Sequence, residues 1–252
     1  MVLKAQGRGR PGRVGEQLRR LATRLEGRIN ERLEKGRTGV YPGRPGRRAE
    51  RADGPPAGSL RLPLEGMDLT LFPSVFAQAQ AAQNRALVKV VLNLSRPEPG
   101  EPILDLMAGM GNFSLPLARA GALVTAVEAD PLACANGRFN ARECGLQVEF
   151  VNRPALDYLE GLLSGKGSKG KRFQTVVVDP PRRGIKDLLD LLIRLAPKRL
   201  VYVSCQPATL ARDLKTLTGR GYLVREVIPL DLMPQTYHLE TTVLLTSDPQ
   251  PG

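Results

Sequence analysis

The sequence predicts an α/β fold, a mostly parallel sheet with helices on both faces, ended by an antiparallel C-terminal hairpin and preceded by a basic extension. Three observations predict it. From Ile103 onward, short runs rich in Val, Ile and Leu alternate with helical stretches, the rhythm of right-handed βα crossovers. The first of these strands runs straight into a glycine turn. The last two, Leu223–Leu230 and Thr241–Thr246, follow one another with no helix between them.

The elements follow in order. Leu60 to Leu71 alternates as a hairpin does, and Gln78 to Leu94 places Ala86, Leu87, Val90, Val91 and Leu94 on one helical face. Strands are predicted at Ile103–Leu106, Leu123–Val127, Val148–Val151, Thr175–Val178 and Leu200–Val203. Helices are predicted at Phe113–Ala120, Pro131–Cys144, Leu156–Leu163, Lys186–Leu195 and Ala208–Thr218. Together with the terminal hairpin these make one domain over residues 59–247, with a tail at 248–252.

The extension, residues 1–58, is different in texture. The net charge is +12, and residues 1–61 hold 16 Lys/Arg against 6 Asp/Glu, which leaves only +2 for the rest. Residues 1–15 are Gly/Arg-rich and predicted to be disordered, and residues 36–58 read as a linker. Between them Leu18, Leu21, Leu25, Ile29 and Leu33 make an amphipathic helix over about 16–33. Such an arm suits a polyanion, because each neutralised phosphate releases counterions, although a solvated tail has the same composition. Three cysteines make neither a disulfide framework nor a four-cysteine iron–sulfur site, and they fit a reduced, cytoplasmic setting. No apolar run reaches the ~18 residues of a membrane span, and no metal-ligand cluster is visible.

The chemistry concentrates at strand ends. ILDLMAGMGNFSLPLA, Ile103 to Ala118, is strand, glycine turn and helix, in which Gly109 and Gly111 let the backbone approach a ligand. The next strand ends at Glu128, an acid where such folds hold ribose hydroxyls. No Walker lysine follows the glycines, which argues against a triphosphate. NAD and S-adenosylmethionine are not separated by these features. TVVVDPPRRG then brings Asp179 to a strand end, with a rigid double proline behind it and Arg182 and Arg183 placed to meet a phosphate or a base.

LVYVSCQPATLARDL, Leu200 to Leu214, ends a strand at Cys205 and enters a helix. A buried structural cysteine is one reading. A nucleophile is the other, because a helix N-terminus favours the thiolate. LDLMPQTYHLETTVLL holds His238, the one histidine, and then Glu240 at the start of an apolar strand, where partial burial makes a carboxylate a better base.

With FAQAQAAQN, LDLMAGMGNFSLPLA, VEAD, DPPRRG, VSCQPATLARDL and PQTYHLE in this order, the chain resembles the uracil-5 RNA methyltransferases over about residues 60–247. The resemblance implies a Rossmann-like methyltransferase sheet, S-adenosylmethionine as cofactor, and tRNA or rRNA as partner. It assigns Cys205 as nucleophile, Glu240 as base, Gln78, Asn112, Glu128 and Asp179 as cofactor contacts, and Arg182 as the arginine beside the target base. Similar enzymes usually carry Asn where Gln206 stands, an aromatic where Met107 stands, and Asn where Gln80 stands. They commonly place an RNA-binding β-barrel before the catalytic domain, where this chain has some 60 Arg-rich residues, so the N-terminus is short for the family, and either the arm replaces the barrel electrostatically or the chain is a shortened one. A catalytically weak relative that binds RNA through its arm is the alternative reading.

Overall fold

A computed structural model describes residues 3–4, 54–78, 80–165, 172–231 and 239–247. The helix expected over 16–33, His238 and the tail lie outside these residues. The strands are β1 (Leu3–Lys4), β2 (Leu60–Leu64), β3 (Met67–Leu71), β4 (Pro102–Leu106), β5 (Leu123–Glu128), β6 (Val148–Asn152), β7 (Thr175–Val178), β8 (Arg199–Ser204), β9 (Tyr222–Leu230) and β10 (Glu240–Ser247). The α-helices, here α1 to α6, are Ala81–Ser95, Ser114–Arg119, Pro131–Glu143, Ala155–Leu163, Leu189–Leu195 and Pro207–Thr218.

Eight strands form one sheet in the order β1-β9-β10-β8-β7-β4-β5-β6, and β2 and β3 form a separate hairpin. Strands β8, β7, β4, β5 and β6 are parallel, and β10 enters antiparallel to both β8 and β9. The central strands read as near-continuous apolar runs because both faces are covered. Successive side chains alternate between the faces: Ile103, Val177, Val201 and Val203 pack with α1, α2, α3 and the hairpin, while Leu104, Val176, Leu200 and Tyr202 pack with α4, α5 and α6.

The hairpin is held by side chains rather than by sheet pairing. Asn140 of α3 accepts from the Thr70 amide (2.8 Å) and donates to the Thr70 carbonyl (2.9 Å). Asn136, one turn earlier, accepts from the Phe72 amide (2.9 Å) and donates to the same carbonyl (2.8 Å). Two asparagines at i and i+4 thus take the place of a neighbouring strand.

Three expectations are corrected. The first helix starts at Ala81, not Gln78, which leaves Gln78 ahead of it and outside regular secondary structure. The helix expected over Lys186–Leu195 opens with a 3-10 turn, Lys186–Leu188, because the Ile185 amide is taken by the Asp213 carboxylate and the first turn tightens to Leu188 N–H donating to Ile185 C=O. The N-terminal stretch expected to lack structure places Leu3–Lys4 against β9, in register with Val227 and Glu226. The outer edge of β9 offers unpaired backbone groups, and a two-residue strand satisfies some of them.

Candidate active site

Strand register assembles the site. The antiparallel pairing Thr241↔Ser204 sets Glu240, the first residue of β10, opposite the position of Cys205 just past β8. The parallel pairings Leu106↔Val178, Leu106↔Val127 and Val178↔Tyr202 align the carboxyl ends of β4, β5, β7 and β8. Asp105, Glu128, Asp179, Cys205 and Glu240 all continue the side-chain alternation that faces α1, α2 and α3. A cleft of about 850 Å³ opens there, lined by Gln78, Gly109, Asn112, Glu128, Asp179, Arg182, Cys205 and Glu240 among others. It lies within the size range of small-molecule sites. A second groove, of about 1020 Å³, opens at the amino ends of β4, β5 and β6 and contains none of the predicted site residues.

The glycine turn is built for close approach. Gly109 (φ +56) has no atom within 4 Å of where a Cβ would stand, so its backbone is bare toward the cleft. Gly111 (φ +91) is tight for a different reason, since a Cβ would fall 2.9 Å from the Phe150 ring. Met107 takes the left-handed region as well (φ +61) without being glycine, a conformation that costs of the order of 1–2 kcal/mol. The Glu128 carboxylate ties this turn to the end of β5, accepting from the Gly109 amide (2.8 Å) through one oxygen and from the Asp130 amide (2.8 Å) through the other. Asn112 pairs reciprocally with Asn84 of α1, each amide donating to the other's oxygen at 2.8 and 2.9 Å. That pairing fixes the side of the turn facing α1 and leaves each amide with one further donor and acceptor site.

The carboxylates here are reluctant to ionise together. Burial raises Glu240 from 4.5 to about 7. Burial, then the Glu240 and Asp105 charges, push Asp179 well above the carboxylate range. Asp105, fully buried in β4, is raised from 3.8 to about 7 by its burial, although Ser114 donates to it at 2.5 Å. One Asp105 oxygen has no hydrogen-bond partner.

The same groups correct the expectation for Cys205. Its thiol is raised above its ordinary value, by burial first and then by Glu240 and Asp179, with Arg182 opposing. The position before α6 is thus not enough by itself to make this thiol acidic, given partial burial and two nearby carboxylates. Gln206 caps that helix without a side-chain hydrogen bond and is exposed, while the Ser204 hydroxyl exchanges 3.2 Å bonds with the Gln206 backbone. Gln is a poor N-cap compared with Asn, and that is where this chain departs from the pattern it resembles.

Sequence reasoning missed four groups. Asp105 was hidden as one acid inside an apolar strand. Thr209, Arg212 and Asp213 were read only as helix residues, though their spacing at i, i+3 and i+4 puts them on one face.

Comparison with known proteins places residues 61–248 within a family model described as tRNA (Uracil-5-)-methyltransferase. The 23S rRNA (uracil(1939)-C(5))-methyltransferase RlmD of Dechloromonas aromatica is 40% identical over 191 residues, covering 75% of this chain and 43% of that protein. Its counterpart from Yersinia enterocolitica is 38% identical over 187 residues, covering 74% and 41%. Among solved structures, the Pyrococcus abyssi tRNA (uracil-54, C5)-methyltransferase in complex with S-adenosyl-L-homocysteine superposes with a TM-score of 0.65 at 34% identity, covering 75% of this chain and 44% of that one. The chain therefore spans about two-fifths of the length of these relatives.

Proposed function

Because the chain belongs to the tRNA (uracil-5-)-methyltransferase family, we propose that it transfers a methyl group from S-adenosylmethionine to C5 of a uridine in tRNA or rRNA, with Cys205 as nucleophile and Glu240 as base. One observation carries this reading. The β8–β10 register sets a thiol and a carboxyl of raised pKa side by side at the mouth of a cofactor-sized cleft.

The residues fit the cofactor. The bare backbone at Gly109 gives a cradle that any Cβ would fill, and Glu128 is braced by two amides where a ribose diol would meet it. Gln78, Asn112 and Asp179 line the rest of that wall. S-adenosylmethionine supplies an electrophilic methyl group on sulfur, which an unactivated uracil C5 is too weak a nucleophile to take.

The protein's task is to activate that carbon. The Cys205 thiolate adds to C6 of the uracil, and the electron pair of the C5–C6 double bond moves into an enolate that makes C5 nucleophilic. Once C5 carries the methyl group, the Glu240 carboxylate removes the remaining C5 proton. The double bond re-forms and expels the Cys205 thiolate, so each turnover releases one proton. A carboxyl near neutrality suits this step, since it is ionised often enough to accept the proton and basic enough to draw it. Arg182, on the Asp179–Gly184 loop, lines the same cleft and offsets the carboxylates around the thiol, and on this reading it meets the target base. The uridine leaves its stack to reach Cys205.

RNA containing 5-fluorouridine tests this, since fluorine at C5 blocks the proton removal. Incubation with the cofactor is expected to trap a covalent RNA–protein species that maps to Cys205. Absence of any adduct would turn the reading toward a non-catalytic RNA-binding relative. We also propose that the basic residues 1–58 contact RNA phosphates and that the protein works in the cytoplasm, a reducing setting in which its cysteines stay free.

A further inference from the structure

Behind the site, on the opposite face of the sheet, lies a buried polar network that the reaction does not use. Its centre is Asp213 of α6, which is fully buried. The Asp213 carboxylate accepts from the Tyr202 hydroxyl (2.8 Å), from the Ile185 amide (2.9 Å) and from the Arg212 guanidinium (2.8 and 2.9 Å). The same Arg212 donates to the Arg183 carbonyl (2.8 Å), and the Thr209 hydroxyl lies within reach of both the Arg182 carbonyl (3.1 Å) and the Gln206 carbonyl (3.0 Å). Three consecutive peptide units of the loop after β7, from Arg182 to Ile185, are therefore held by side chains from one face of the helix that follows Cys205.

The sequence is shaped to permit this. Gly184 stands at φ +74, and a Cβ there would overlap the Asp213 carboxylate while also meeting Arg212 and the Tyr202 hydroxyl. No other residue lets the loop backbone come so close. Burial and the Asp213 charge push the Tyr202 hydroxyl upward, so it stays a donor. Tyr202 is three residues before Cys205 on β8, and Thr209 is four residues after it. One network thus ties the strand that carries the thiol, the helix that leaves it and the loop that carries Asp179 and Arg182.

We propose that Arg212 and Asp213 are positioning residues for the methyl-transfer reaction: they lock the Asp179–Gly184 loop to the Cys205 turn, so that Arg182 and Asp179 are held in register with the nucleophile. This rests on the proposed roles of Cys205 and Arg182. A buried carboxylate with four donors is rigid, and truncating any partner leaves charge or backbone groups unpaired. Misplacement of reacting groups by about 1 Å is enough to cost of the order of 10²-fold in rate. Neither residue touches the substrate on this view, so their loss acts on the rate constant rather than on binding.

The test uses the full chain and compares Arg212→Gln, Arg212→Lys and Cys205→Ala. Arg212 is the useful handle because its side chain is 44% exposed, which lets it be changed without opening the core. For Arg212→Gln the expected result is a fall in kcat of the folded protein of about 10- to 100-fold, with a lowered melting temperature because the buried Asp213 loses its cation, and with the cofactor Kd, and the RNA Kd and its salt slope, near wild type. Arg212→Lys, which keeps the charge but cannot span two acceptors in a plane, is expected to recover kcat only partly. An unchanged kcat in Arg212→Gln overturns the proposal. So does a weakened RNA Kd with kcat intact, which would make Arg212 an RNA contact. Gly184→Ala attacks the same lock from the loop side and is expected to lower kcat of the folded fraction as well; full kcat there also overturns it. Cys205→Ala separates the two levels. If it keeps turnover, the assignment of the nucleophile falls. If it is inactive while Arg212→Gln is fully active, the lock alone falls.

Discussion

Glu240→Gln is expected to stabilise the folded protein at alkaline pH while removing its activity. Glu240 sits at the start of a central strand with 8% of its surface exposed, and burial raises it from 4.5 to about 7. The folded state therefore holds the Glu240 proton more tightly than the unfolded chain. Below pH 4.5 both states are protonated and the carboxyl costs nothing. Between 4.5 and about 7 the unfolded chain ionises first, so stability drains away as the pH rises, and above about 7 the loss is complete. At about 1.4 kcal/mol per pH unit this amounts to about 3 kcal/mol at pH 8. Glutamine has the same shape and no charge, so it escapes that loss. Urea unfolding of both proteins at pH 4.5 and pH 8 reads the effect as a difference in which the titrating groups that do not feel Glu240 cancel. The variant's advantage is expected to grow by about 3 kcal/mol between the two pH values, with turnover lower by at least about 10²-fold. Because Glu240 also helps to raise Cys205, the variant's thiol is expected to react faster with iodoacetamide at pH 7.5. A stability difference that does not change with pH would refute the burial argument, and with it the reason for thinking Glu240 is tuned as a base.

The remaining predictions concern the rest of the site. Cys205→Ala is expected to abolish methyl transfer with cofactor affinity, measured by calorimetry, largely intact; undiminished turnover would refute the nucleophile. Wild-type kcat is expected to fall as the pH drops through about 7, as Glu240 gains its proton, and a flat profile from pH 6 to 8 would show that another group is the base. Asn140→Ala leaves the Thr70 amide without its acceptor in a buried place, which costs about 1–3 kcal/mol in urea unfolding and loosens the hairpin. At position 107, Gly is expected to be more stable than Ala by about 1 kcal/mol, since both lose the side chain and only one pays for φ +61; equal stabilities would refute the strained turn. Deleting residues 1–58 is expected to flatten the dependence of RNA affinity on salt, read by filter binding at several ionic strengths.

The alternation of apolar strands and helices made the sheet legible, because β4, β7 and β8 are buried on both faces and must be written in Val, Ile and Leu. The row of chemistry at the strand ends was legible too, since Gly109, Glu128, Asp179 and Cys205 each follow such a run directly. Glu240 could be named, but its place beside Cys205 depends on β10 lying between β8 and β9, and the sequence states no order for strands. The raised thiol of Cys205 was not legible for the same reason: the helix N-terminus is local and visible, whereas the opposing carboxylates come from 26 residues upstream, at Asp179, and 35 downstream, at Glu240. Asn136 and Asn140 looked like ordinary helix residues because their partners, Thr70 and Phe72, lie more than 60 positions away.

The place of β10 has a consequence for how the protein comes into being. Strand β10 follows β9 in the chain yet lies between β9 and β8, so it is the strand that joins β9 to the rest of the sheet, and it carries Glu240 at its first position. A nascent chain ending at residue 230 has its glycine turn, its double-proline loop and its thiol, but no carboxyl beside that thiol and no bridge to β9. Losing this strand is therefore not the trimming of an edge. It divides the sheet, and it leaves Cys205 without the carboxyl that faces it across the register. Within residues 1–247, synthesis thus brings the Glu240 carboxyl to Cys205 only after the other walls of the cleft have been translated.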